Sequence, residues 1–249
     1  MSALKTILFK IISLIPTSLI VFKIKALLWG KSENLTPREA LRFLFEVEKE
    51  LYGLEGRNAS RYDGGVHAKH RLINYHRFFI DNIETGAKVL DIGCGNGALA
   101  YDVAKNVEGV EVVGIDLSEK NIQIARKDFA ATNIEYVVGN AEKDLPERKF
   151  GAVILSNVLE HIERRVELLQ KIKAKYNPNK ILIRVPMFDR DWRVPLKKEV
   201  GVDYRLDETH FIEYTFEEFQ KEIRDAGFKI RGYKINWGEI WAVVEAGNE

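Results

Sequence analysis

The run Val-Leu-Asp-Ile-Gly-Cys-Gly-Asn-Gly, from Val89 to Gly97, limits what this chain can fold into more than any other stretch. Val89, Leu90 and Ile92 flank a single acid, the pattern of a parallel strand buried on both faces. Gly93, Gly95 and Gly97 stand at alternate positions, which predicts a tight turn opening into a helix. Glycine lacks a Cβ and tolerates positive φ, so backbone in such a turn can come close to a ligand. Asp91, at the carboxyl end of the strand, points its carboxylate into that crevice. A carboxylate there repels a pyrophosphate and suits a cation.

The rest of the chain repeats the strand-then-helix theme. Strands are predicted over 88–92, 110–115, 134–138, 150–155 and 180–185, with helices over 97–106, 118–130 and 157–175. A helix over 215–226 then precedes strands over 228–235 and 239–245, joined by the hairpin Asn236-Trp237-Gly238. Such alternation means an α/β fold with a doubly wound, parallel sheet. Val112-Val113-Gly114-Ile115-Asp116-Leu117-Ser118 is a second strand ending in an acid. It lies about twenty residues past the glycine turn, where a carboxylate binds ribose hydroxyls.

Asp-x-Gly-x-Gly-x-Gly, followed at that distance by Asp116, resembles the first two motifs of the class I S-adenosylmethionine-dependent methyltransferases. Gly139-Asn140-Ala141-Glu142 after the third strand and Ser156-Asn157-Val158-Leu159-Glu160-His161-Ile162 after the fourth keep the family's order. The resemblance spans residues 68–246 and implies a Rossmann-like, seven-stranded, mostly parallel sheet with an antiparallel last strand. It also implies S-adenosylmethionine as cofactor. Gly93, Cys94, Gly95 and Gly97 would then line its methionine and ribose. Asp91 would attract its amine with the backbone of Ser156 and Asn157, and Asp116 would accept the ribose hydroxyls. Leu117 and Ala141 would flank the adenine, with Asn140 or Glu142 near its amine. The rival is a nicotinamide dehydrogenase, since Gly93, Gly95 and Ala98 also satisfy G-x-G-x-x-A. Asp91, the Asn140-Ala141 pair, the Asn-x-x-Glu-His segment and the long stretch before the motif count against it.

His161 is the candidate catalytic base, because imidazole titrates near neutral pH and this one sits at the sheet's carboxyl edge. An alcohol acceptor needs a base, whereas a carboxylate or phosphate does not; a helix-end packing role is the other reading. On a helix, Asn157, Glu160 and His161 share a face. This looks like the metal-binding Glu-x-x-Glu-His of some quinone and RNA 3′-end methyltransferases. Asn157 in the first position removes an anionic ligand, so no metal is expected. Substrate contacts are sought in two places, with an ordinary solvated loop as the alternative for the second. The first is the stretch carrying Tyr62, His70 and Arg71, hinged at Gly64-Gly65. The other runs from Pro186 to His210, with Arg190, Trp192, Arg193 and His210 among further charges and aromatics.

The chain reads as three segments: a leader over 1–35, a helix and lid loop over 36–67 and, as the resemblance implies, a methyltransferase domain over 68–249. The leader holds Lys5, Lys10, Lys23, Lys25 and Lys31 without an acid before residue 32, leaving 33 basic against 37 acidic residues elsewhere. Leu4, Ile7, Leu8, Ile11 and Ile15 recur at helical spacing up to Pro16, and Leu19 to Trp29 follows as a second apolar stretch. Its longest uncharged run, Ile11 to Phe22, is too short to span a bilayer. It suits an in-plane contact of residues 1–30 with a membrane surface, or a cover for the domain or a homodimer partner. The single cysteine, Cys94, reads as a small residue in a tight turn and fits a reducing cytoplasm. With a net charge of +1, nucleic acid is not an expected partner. The expected function is O-methylation of a small or lipid-linked polar acceptor such as a sugar, glycan, quinone or lipid head group. A catalytically inactive cofactor-binding subunit is the runner-up, and RNA methylation stands third.

Overall fold

The computed structural model describes residues 9–247, so Leu4, Lys5, Ile7 and Leu8 lie outside the described residues. The Val- and Ile-rich runs form strands where the sequence places them. These are β1 (Lys88–Ile92), β2 (Glu111–Asp116), β3 (Ile134–Val138), β4 (Ala152–Ser156), β5 (Lys180–Pro186), β6 (Phe228–Asn236) and β7 (Glu239–Ala246). They make one sheet in the order β3-β2-β1-β4-β5-β7-β6, with β7 antiparallel to both neighbours and β1 to β5 parallel. The expected doubly wound α/β sheet with an antiparallel last strand is thus what the chain forms. The strand order reverses between β1 and β4, which opens a crevice at the carboxyl ends of these strands, the usual place for a ligand in this architecture.

Helices precede the strands and separate most of them along the chain. They are α1 (Thr17–Ser32), α2 (Pro37–Tyr62), α3 (Lys69–Ile73), α4 (His76–Asp81), α5 (Ala98–Asn106), α6 (Glu119–Asp128), α7 (Arg165–Tyr176), α8 (Arg193–Val200) and α9 (Phe216–Asp225). Because side chains alternate along a strand, Leu90, Ile92, Leu155 and Ile183 pack on one face with Leu169 and Phe219. Val89, Ile154, Leu182 and Trp241 pack on the other with Phe79, Val103 and Ile122. The open borders are modified. Ile230 and Gly232 flank a bulge in β6, and Arg126 Nη2 donates to the Tyr136 carbonyl of β3 at 2.6 Å.

The chain divides into two compact units. The sheet belongs to the larger, made of residues 60–195 and everything from 205 onward. The smaller joins the first 59 residues to 196–204 and is held by Phe45, Val200 and Val202, with a Lys197–Glu48 ion pair at 2.8 Å. No residue of α1 is buried.

Three local expectations are corrected. The helix that begins at Pro37 does not stop at Gly53 and absorbs most of the expected lid loop, running to Tyr62. A glycine weakens a helix by roughly 1 kcal/mol but ends it only when the following chain turns left-handed. That turn comes at Gly64 (φ 70), and the Gly65 amide closes onto the Ser60 carbonyl at 2.8 Å. The helix expected from 68 to 83 is broken in two by Asn74, which takes φ 48. The helix expected from 157 begins only at Arg165, since Asn157 is left-handed (φ 55) and Leu159–His161 is a 3₁₀ turn. Asn157, Glu160 and His161 therefore do not share a helical face.

Gly97 shows how tightly the glycine turn is packed. A Cβ there would lie 2.7 Å from Tyr136 Oη and 2.8 Å from the Ala125 Cβ, at φ 87. Gly97→Ala is expected to cost roughly 2–4 kcal/mol. Thermal unfolding would then show a midpoint lower by about 4–16 °C.

Candidate functional site

The turn after β1 is tied to the end of β2. The amides of Gly93 and Cys94 donate to the Ile115 carbonyl at 2.8 and 3.1 Å. The Gly95 amide donates to Asp116 Oδ2 at 2.9 Å, while Asp116 Oδ1 accepts from the Ser118 amide at 2.8 Å and from Asn121 Nδ2 at 3.2 Å. Three donors leave one acceptor site open on a carboxylate that can accept four. At Gly95 a Cβ would meet no protein atom within 4 Å, so its backbone is bare toward the solvent side.

A cavity of about 420 Å³ opens beside this turn. Of the predicted residues, Gly93, Asp116, Leu117, Asn140, Ala141, Glu142, Asn157 and His161 line it. Asn140 shapes its wall through an Asx turn, Oδ1 accepting from the Glu142 amide at 2.7 Å. Leu117 is exposed, a hydrophobic side chain at the mouth. Cys94 turns its side chain toward Gly114 and the core, and burial pushes its thiol up. Ser156 accepts from Arg184 Nη1 at 3.3 Å. Ile92, Ile115, Val158 and Ile162 complete the wall; as ordinary strand and loop apolars, they carry no signal separating them from core. A second cavity, about 340 Å³, opens at the amino edge of the sheet between Lys88, Glu111 and Arg148, away from the glycine turn.

Asp91 is buried, and its Oδ2 has no hydrogen-bond partner. Burial, with Asp116 nearby, pushes its pKa up to about 8. An orphaned buried carboxylate is costly unless a cation meets it. Arg184, fully buried on β5, is another charge inside the sheet. It is clamped by Glu239 at 2.6 and 2.5 Å and stacks 3.8 Å from the Tyr75 ring centre. A charge in the apolar run Ile181-Leu182-Ile183 was the available signal for this pair.

Beyond Asn157, a second polar group gathers around His161. Asn157 Nδ2 donates to Glu160 Oε1 at 2.7 Å, and the buried Glu160 Oε2 is unpartnered. Burial raises the Glu160 pKa to about 7. The His161 and His210 rings meet edge-on at 4.5 Å, and burial holds the His161 pKa below its ordinary value. His210 Nδ1 sits 3.2 Å from Glu213 Oε1, and Glu213 also pairs with Arg190. Glu160, His161 and His210 bring ligand atoms within 4.8 Å of one another, close enough to hold a divalent cation.

The substrate candidates scatter. Arg190 and His210 join this buried network. His70 contacts the Tyr75 hydroxyl and His76, 3.1 Å away, and burial drives its pKa down to about 4. Arg71 pairs with Asp63 at 3.1 Å and Arg193 with Asp191 at 2.6 Å, both as surface pairs. Tyr62 and Trp192 are exposed.

The sequence profile of a family described as "Methyltransferase domain" matches residues 83–225. The chain is 36% identical over 126 residues to the mitochondrial ubiquinone biosynthesis O-methyltransferase of Arabidopsis thaliana, covering 49% of this chain and 38% of that protein. With the ubiquinone biosynthesis O-methyltransferase of Actinobacillus pleuropneumoniae serotype 7 it shares 31% over 164 residues, 62% of this chain and 64% of that one. The chain spans about half the length of the curated relatives it matches. A TehB-like S-adenosylmethionine-dependent methyltransferase from Corynebacterium glutamicum shares the fold, with TM-score 0.54 and 19% identity over 81% of this chain and 99% of that one.

Asp91 generates a sign-definite prediction. In the folded chain it keeps its proton up to about pH 8, whereas the unfolded chain loses it near pH 4. Its contribution to stability therefore falls as pH rises between those values. Asp91→Asn is expected to raise the melting temperature of the ligand-free protein at neutral pH. Between about pH 6 and 7, S-adenosylmethionine uptake should release close to one proton in the wild type and none in Asp91→Asn, which also binds more weakly; calorimetry in buffers of differing ionisation heat reads both.

Proposed function

The chain belongs to the methyltransferase-domain family, and from that premise we propose that it moves a methyl group from S-adenosylmethionine to the oxygen of a small or lipid-linked polar acceptor. The observation that carries this reading is the unpartnered Asp91 carboxylate, buried on β1 just ahead of a glycine turn whose Gly95 backbone is bare. That pairing fits the cationic amino-acid end of this cofactor and would repel a dinucleotide's phosphates. Asp116 has one acceptor site left for a ribose hydroxyl and would take the second by releasing the Asn121 side chain, and Leu117 and Ala141 offer apolar surface to an adenine, with Asn140 and Glu142 at its edge. When bound, the sulfonium supplies a methyl group already activated for in-line displacement. The protein's share is alignment and exclusion of water.

At the other end of the cavity, His161 would take the proton of an acceptor hydroxyl. Its lowered pKa keeps the imidazole neutral, the form a general base needs. Two relatives are named as O-methyltransferases of ubiquinone biosynthesis, and a phenolic hydroxyl acceptor would suit such a base, since it must lose its proton. Sugar and glycan hydroxyls remain in the same class.

A lipid-linked acceptor accords with the first residues. Among the described ones, Phe9, Ile11, Leu14, Phe22, Leu27 and Trp29 are exposed, beside Lys10, Lys23, Lys25 and Lys31. No described helix is long and apolar enough to cross a membrane. Basic and apolar groups side by side suit the surface of an anionic bilayer.

Two measurements test these proposals. Release of S-adenosylhomocysteine over a panel of phenolic, sugar and lipid-linked hydroxyls should identify turnover. His161→Ala should lower it roughly a hundred- to ten-thousand-fold with cofactor affinity unchanged. Cofactor uptake without turnover on any acceptor would instead make the chain a binding subunit. For the surface contact, the whole protein should sediment with phosphatidylserine vesicles, and Lys23→Glu with Lys25→Glu should release it. Protein left in the supernatant in both cases defeats the membrane proposal.

A further inference from the structure

The hydrogen bonds around His161 determine which of its nitrogens carries the proton. Nδ1 lies 2.8 Å from Thr209 Oγ1. A hydroxyl has one hydrogen to give, and Thr209 gives its own to Asp207 Oδ1 at 2.6 Å. The Thr209 amide donates to the same oxygen at 2.8 Å. Those two bonds hold the Asp207 carboxyl below its ordinary range, so it is an anion and can only accept. Thr209 Oγ1 is left facing the imidazole with a lone pair, and the nitrogen opposite it must be N–H. In a neutral imidazole, the second nitrogen then carries the lone pair.

We propose that Asp207 and Thr209 are positioning residues that fix His161 as the Nδ1–H tautomer, so that Nε2 is the nitrogen offered to the acceptor. This rests on the reading of His161 as the base. The ring plane is set independently by His210, edge-on at an interplanar angle of 80° and itself held by Glu213. In the transfer, the acceptor's O–H proton goes to Nε2 as its oxygen bonds to the methyl carbon. The carbon–sulfur bond breaks, and its electron pair stays on sulfur. His161 leaves as an imidazolium, doubly protonated, with the Asp207 anion one hydroxyl away, and returns its proton to solvent. Sequence alone could not show this, because Thr209 and Asp207 lie more than forty residues from His161.

The test reads the tautomer directly and needs no acceptor. Nitrogen-15 spectra of the full chain, labelled at its five histidines, are recorded in chelator-treated buffer at about pH 8, above the ordinary imidazole range. His161→Gln assigns the signal. The wild type is expected to show a protonated Nδ1 and an unprotonated Nε2. Thr209→Val and Asp207→Ala should move His161 toward the Nε2–H form, whereas Thr209→Ser, which keeps the hydroxyl, should retain the wild-type pattern. Affinity for S-adenosylhomocysteine, within about twofold of wild type in all three, reports that the fold is intact. A wild-type His161 protonated on Nε2, or a Thr209→Val spectrum identical to wild type, overturns the proposal. Cofactor uptake is read separately, so failure of the methyltransferase reading and failure of this tautomer give different results.

Discussion

The clamp between the turn after β1 and the end of β2 fixes the geometry on which the site depends. Two amides of the turn close onto one β2 carbonyl, and a third closes onto the Asp116 carboxylate. One side chain thereby does two jobs, since the same Asp116 also holds the start of α6 through Ser118 and Asn121. The turn cannot shift without loosening the helix that follows β2. The cavity wall takes its shape from backbone amides closed onto one carbonyl and onto the Asp116 and Asn140 side chains, which suits a site that is formed before its ligand arrives.

Charge at the carboxyl edge of the sheet is distributed unevenly. Arg184 is fully matched, with Glu239 on one side and Tyr75 beneath it, and so stays buried without a solvent partner. Asp91 and Glu160 each have a buried oxygen with none. Buried polar atoms are paired almost everywhere in folded proteins, and these two exceptions lie within two positions of residues that line the cavity, Ile92 and Gly93 on one side and His161 and Ile162 on the other.

The glycine turn, the two strand-end acids and the strand alternation were legible in the sequence because each rests on local rules: side-chain period, absence of a Cβ, and the length of a crossover. The hairpin at Trp237-Gly238 was legible for the same reason, and both residues take positive φ there. What failed locally failed at asparagines. Asn74 and Asn157 adopt left-handed backbone within stretches whose apolar spacing reads as continuous helix, and nothing in that spacing announces the break. The extension of α2 through Gly53 shows the converse, a weak residue overruled for want of a left-handed stop. The polar groups around His161 were illegible for a different reason. Their partners come from Asp207, Thr209 and Glu213, brought close only when the segment after β5 folds back.

The two modified borders of the sheet have a consequence for how copies of this chain meet. A straight, bare ladder of amides and carbonyls templates the addition of a foreign strand. Along β6 the bulge twists the ladder away, with Lys229 and Lys234 projecting from it, and along β3 a guanidinium already occupies a carbonyl. Neither rim offers a straight, unoccupied ladder, so growth of one sheet onto the edge of another is discouraged at both ends.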